Sequence, residues 1–269
     1  MPSHDMAVLE GALSVQAVLD CRTRDIVRID VARNAQDPRI GRVVETARRH
    51  GVRVHVADRA ALDLRATGRT HGGVLALVGP RRFTPLDQLG RGATTPFVAL
   101  LDGVEDPYNL GQAVRSLYAA GAHGLLLRRP RRAGADMVIA RASAGASERM
   151  PTTLVEGAGE LEAAVRELRD RGLRVVCAHR SDADVVYEAD LSGPLVLAMG
   201  GERRGLTRRL ALSADVRVTV PYGRWFRPAL DITSATAVVA FEIARQRRAA
   251  APARGGSAGA SPDGEAIRT

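Results

Sequence analysis

Asn109 and Arg115 lie in Asp102-Gly103-Val104-Glu105-Asp106-Pro107-Tyr108-Asn109-Leu110-Gly111-Gln112-Ala113-Val114-Arg115, a segment that is polar and turn-prone at its start and is flanked by apolar runs. An amide carries a donor and an acceptor together, and a guanidinium can grip an anion bidentately, so the segment reads as strand, loop and helix with its chemistry on the loop. A plain turn Asn and a helix-surface ion pair are the structural alternatives. A second cluster is Gly200-Gly201-Glu202-Arg203-Arg204-Gly205. Paired glycines let a backbone come close to a ligand, whereas an ordinary strand-to-helix turn with a capping carboxylate explains the same residues. A third is Tyr222-Gly223-Arg224-Trp225-Phe226-Arg227-Pro228. Aromatic rings between arginines either stack on bases while the guanidiniums hold phosphates, or pack into a core.

The elements around these clusters read as α/β. Pro96 to Leu101 is a short unbroken apolar run, Asp106-Pro107 a turn, Ala113 to Ala120 a helix, and Leu125 to Leu127 a second buried strand, together a βαβ unit. Upstream, helix-like stretches (Val8 to Asp20, Arg39 to Gly51) alternate with strand-like ones (Ile26 to Val31, Val52 to Val56, Gly73 to Val78). Downstream, Phe97 to Leu101, Gly124 to Leu127, Leu173 to Cys177, Leu195 to Met199 and Val216 to Val220 alternate with helical patterns such as Leu161 to Arg171, which predicts a five-stranded parallel sheet. The expected division is a small α/β domain over 1–80, a linker over 81–96 rich in turn residues, a larger domain over 97–248, and a disordered tail over 249–269.

All 39 basic residues are arginine and the net charge is +9, which favours a polyanionic partner; codon bias in a GC-rich genome explains the composition equally well. Cys21 and Cys177 have neither metal-ligand nor redox spacing, so a reduced, cytoplasmic protein without disulfides is expected. No apolar run approaches the roughly 20 residues that span a bilayer, and the N-terminus lacks a signal pattern.

Three stretches, taken in order, carry a resemblance. Asp102-Gly103-Val104 with Asp106-Pro107, Asn109, Gly111 and Arg115, then Leu195 to Leu206, then Val218-Thr219-Val220-Pro221 leading to Leu230, Ala235 and Glu242, resemble the three motifs of the SpoU, or TrmH, family of RNA ribose 2'-O-methyltransferases, of the SPOUT class. The N-terminal segment is similar to the substrate-binding domain of the rRNA-modifying branch, with His71-Gly72-Gly73-Val74 where that branch has His-Gln-Gly-Val. The resemblance implies a SPOUT-type parallel sheet with a C-terminal trefoil knot, preceded by a small α/β RNA-binding domain. It further implies that S-adenosylmethionine is bound through main-chain groups at Gly200, Val220 and Leu230, that Asn109, Arg115 and Glu202 are catalytic, that no metal is needed, and that the chain is a homodimer acting on RNA.

Under that resemblance Arg115 is either a phosphate clamp or a proton acceptor, though a guanidinium holds its proton too tightly to be a good base. Glu148 is expected near the active site and dimer interface, and Ala237, Val238, Phe241 and Ile243 as an apolar dimerisation face. The chain departs from the family at Ala229-Leu230-Asp231, where Ser-Leu-Asn is usual. Three functions therefore stand: methylation of an rRNA ribose 2'-hydroxyl, methylation of another RNA acceptor such as a base nitrogen or a tRNA ribose, and RNA binding without catalysis.

Overall fold

A computed structural model describes residues 6–68, 71–129, 134–180 and 182–250. In its first part run β1 (Ala7–Glu10), α1 (Ala12–Cys21), β2 (Ile26–Ala32), α2 (Pro38–Arg49), β3 (Arg53–Ala57), α3 (Arg59–Asp63) and β4 (Val74–Val78). The four strands form one sheet in the order β1-β4-β2-β3, with only β2 and β3 parallel. Val8 and Leu9, expected to open a helix, belong to β1. Gly11 at φ +91° breaks the strand and lets α1 start at Ala12.

The second sheet is built from β5 (Phe97–Asp102), α4 (Pro107–Ala119), β6 (Gly124–Arg128), α5 (Ala135–Ala142), α6 (Ala146–Arg149), β7 (Thr152–Val155), α7 (Ala158–Asp170), β8 (Arg174–Ala178), β9 (Asp184–Val185), β10 (Leu195–Gly200), α8 (Arg208–Leu212), β11 (Val216–Thr219) and α9 (Ile232–Ala250). Its order is β7-β6-β5-β10-β8-β11-β9 and every pairing is parallel. The sheet therefore has seven strands where five were expected. Both faces are covered, α4 and α9 packing on one side and α7 and α8 on the other, which is why its central strands are apolar without alternation. Helix α9 runs to Ala250, so the expected tail overlaps it at its start, and the rest of that tail lies outside the described residues.

Charged side chains close the seam between the sheets. Arg24, before β2, lies 3.0 Å from both Asp136 of α5 and Glu148 of α6. Thr23 Oγ1 donates to Glu148 at 2.6 Å, and the Arg24 and Glu148 side chains are each 1% exposed. Arg81 adds hydrogen bonds to Thr152 Oγ1 and to the carbonyls of Ser147 and Met150, and burial lowers its guanidinium pKa from the ordinary value. Ala140 of α5 joins the apolar core of the first sheet, and a Cβ on Gly145 would lie 2.6 Å from the Leu13 carbonyl oxygen. Glu148 is thus a seam residue. The 81–96 stretch is packed as well, with Leu89 fully buried and Thr84 N donating to the Thr152 carbonyl.

Candidate active site

Because all seven strands of the large sheet run the same way, their carboxyl ends share one edge, and the chain steps from β5 toward β6 on one side while β10 returns on the other. Such a reversal leaves a crevice where open α/β sheets bind ligands. A cavity of about 800 Å³ opens beside that point, at the ends of β8, β10 and β11, within the roughly 300–1,000 Å³ usual for ligand pockets. Buried Met199, Val218, Ile232 and Val239 give it an apolar lining. Residues 200–202, 204–206 and 219–222 also line it, and Glu202, Arg180, Arg204 and Arg224 supply charge. Gly200, Glu202, Val220 and Leu230 of the expected site all line this cavity.

The glycines there also meet a local steric need. A Cβ on Gly200 would lie 2.3 Å from the backbone of Gly205 and Leu206, and one on Gly201 would lie 2.0 Å from the Gly103 carbonyl oxygen. Gly201 N donates to the Asp102 carbonyl at 2.7 Å and Gly205 N to the Gly201 carbonyl at 2.8 Å, so the loop folds back on itself and onto the loop after β5. The missing side chains make room for neighbouring backbone.

Asn109 and Arg115 are on a helix. Asp106 caps α4 through Tyr108 N at 2.8 Å, and Pro107 fills the first helical position, so the helix begins well before Ala113. At about 100° per residue, the two side chains leave α4 roughly 120° apart. Asn109 is half-buried in the first turn, Arg115 is exposed, and neither lines the cavity. Asp102, buried and in register with Gly200, pairs with Arg128 at the end of β6.

Glu202 and Asp231 meet the start of α9. Glu202 Oε1 accepts from Ile232 N at 3.4 Å, a capping contact. Asp231 accepts from Ser234 N at 2.9 Å and from Ser234 Oγ at 2.7 Å. Those hydrogen bonds hold the Asp231 carboxyl below the usual carboxylate range. It is an N-cap, a position that Asn fills equally well. The preceding loop is tied to itself: Tyr222 Oη accepts from Leu230 N at 2.9 Å, Arg180 donates to the Arg227 carbonyl, and the Tyr222 and Phe226 rings lie 6.2 Å apart. Trp225 is 87% exposed, so the core-packing alternative does not hold.

Residues 96–241 match the SpoU rRNA methylase family, and residues 8–84 match the RNA 2'-O ribose methyltransferase substrate-binding domain. The chain belongs to the SpoU rRNA methylase family. It is accordingly an RNA methyltransferase with S-adenosylmethionine as methyl donor. It is 31% identical over 245 residues to the 23S rRNA (guanosine-2'-O-)-methyltransferase RlmB of Shewanella oneidensis, covering 90% of this chain and 98% of that one. The corresponding protein of Pseudomonas putida is 32% identical over 242 residues, covering 88% and 96%. An S-adenosylmethionine-bound rRNA methyltransferase structure from Sinorhizobium meliloti superposes with a TM-score of 0.72 at 26% identity, covering 90% and 87%.

The residues present fit that cofactor. The cavity has the volume, a buried apolar lining for its adenine and aliphatic parts, the guanidiniums of Arg180, Arg204 and Arg224 for its carboxylate, and one carboxylate, Glu202, for its cationic groups. Sequence reasoning missed the Asp102–Arg128 pair and His179 and Arg180, which line or flank the same sheet edge. Their common signal is a charged or ionisable residue closing an apolar strand run.

Proposed function

We propose that this protein methylates a ribose 2'-hydroxyl of ribosomal RNA, with the donor in the cavity at the ends of β8, β10 and β11 and the RNA approaching across the first turns of α4. One observation carries the reading: the 200–206 loop, which lines the cavity, rests on the 103–104 loop that leads into α4, so donor pocket and Asn109–Arg115 helix adjoin. Bound there, S-adenosylmethionine supplies a methyl on a cationic sulfur. Gly200, Val220 and Leu230 hold it by main-chain groups, Glu202 fixes the cavity loop to α9, Asn109 steadies the start of α4, and exposed Arg115 clamps a substrate phosphate so that the hydroxyl lies in line with the methyl.

Asp231 as a helix cap supports the ribose reading over a changed acceptor, because both its carboxylate oxygens are engaged by Ser234. Residues 1–80 form the RNA-binding part in this proposal, with 81–96 joining it to a catalytic part over 97–248, and the segment through α9 threads a trefoil knot. The working form is a cytoplasmic homodimer. Phe241 of α9 and Tyr118 of α4, 51% and 41% exposed, supply apolar contact area; Ile243, expected on that face, is instead fully buried in the protomer's own core.

The test is incubation of the purified protein with unmodified ribosomal RNA and methyl-labelled donor, followed by nucleoside mass spectrometry. Label in a 2'-O-methyl nucleoside is the expected result, and label on a base overturns the reading.

A further inference from the structure

Trp225 is the chain's only tryptophan, and the fold puts it where a large apolar surface has the least intramolecular use. It lines the donor cavity and yet is 87% exposed, with Phe226 beside it 58% exposed. The ring is nonetheless presented on an ordered support. Tyr222 Oη accepts from Leu230 N and donates to the Pro228 carbonyl, and Arg180 donates to the Arg227 carbonyl, so the loop is closed on both sides of the indole. The surroundings are cationic: Arg180, Arg204 and Arg224 line the same cavity, and Arg227 follows in the loop. An exposed indole among guanidiniums matches the chemistry of an unpaired nucleotide, a flat π-face attached to a phosphate.

We propose that Trp225 is the stacking platform for an unpaired RNA base at the mouth of the donor cavity, with Arg224 and Arg227 taking the phosphates beside it. The inference rests on the reading of this cavity as the methyl-donor site and adds a substrate requirement: the RNA must present an unstacked base beside the reacting ribose. Double-stranded RNA, whose bases are stacked on both faces, offers the indole nothing.

Because Trp225 is the sole indole, intrinsic fluorescence reports this one position. Titration of the full-length protein with a mixed-sequence single-stranded RNA of about 15 nucleotides should quench it, and the same sequence as a duplex should not; absence of quenching by the single strand overturns the proposal. Quenching that S-adenosylmethionine alone produces in full, with none added by RNA, also overturns it, since the indole then covers the donor. Stacking lost on truncation weakens binding by about 5- to 150-fold. Trp225→Ala should therefore raise the KM for ribosomal RNA by that factor, well beyond any change in donor affinity, and Trp225→Phe should restore most of it. An unchanged KM, or an equal loss of donor affinity by calorimetry, counts against the platform. A wild-type protein that quenches with RNA but labels a base, or labels nothing, refutes the ribose reading and leaves the stacking result standing.

Discussion

At the scale of single residues, the proposed function separates a donor pocket from a substrate clamp. Arg115 is exposed on α4 and outside the cavity lining, so Arg115→Ala should lower methylation by about 10²–10⁴-fold while calorimetry finds S-adenosylmethionine affinity unchanged. A matching loss of donor binding would place Arg115 in the pocket. Asp231 is expected to behave as a cap. Asp231→Asn should keep stability and activity, and Asp231→Ala should cost about 0.5–2 kcal/mol in urea unfolding. Its pKa is lowered in the folded state, so its contribution is present above the unfolded value near about 3.9 and is lost as pH falls through the folded value. The pH–rate profile near neutrality should then carry no limb that disappears in Asp231→Asn. Residue types were readable from sequence here, but the partners were not. Ser234 lies three residues beyond Asp231 and could be anticipated, whereas the contact of Gly201 with Gly103 joins positions far apart in the chain.

Among elements of the large sheet, most strands that sequence reveals are buried on both faces. β5, β6, β8 and β10 are largely apolar runs bounded by turn residues, β11 (Val-Arg-Val-Thr) is half-buried, and each matches its expected span to within a residue or so. β7 escapes because it is an edge strand that begins Thr152-Thr153, and β9 because two residues carry no period. β1 and the start of α4 are misread for a shared reason: short signals serve two structures. Val8-Leu9 fits either period, and Asp106-Pro107 is both a turn and the cap and first position of a helix. The seam between sheets was invisible, since Arg24, Arg81, Asp136 and Glu148 belong to four separate segments. It supplies a stability prediction. Glu148→Ala leaves buried guanidiniums without their shared carboxylate and should destabilise the protein by about 3–5 kcal/mol, read as a lower urea midpoint at unchanged slope. A change under 1 kcal/mol, roughly a surface pair's worth, would show that the seam is wetter than its burial indicates.

For the molecule as a whole, the exposed rings of Phe241 and Tyr118 motivate a dimer, and light scattering at micromolar protein should return twice the mass of the 28.6 kDa chain. Phe241→Glu should shift that mass toward the monomer while leaving the far-ultraviolet circular dichroism unchanged, because half of the ring already faces solvent. A monomeric wild type rejects the assembly. The seam has a further consequence, for what the RNA must do. Sliding the two sheets apart would uncover Arg24 and Glu148 and break the packing of Ala140 against the first core, so the sheets should melt together in a single calorimetric transition, and two separate transitions would show that they are not fastened. A protein whose halves are fastened in this way is a ruler, and an RNA strand that reaches from one sheet to the other has to supply whatever bend the fit requires.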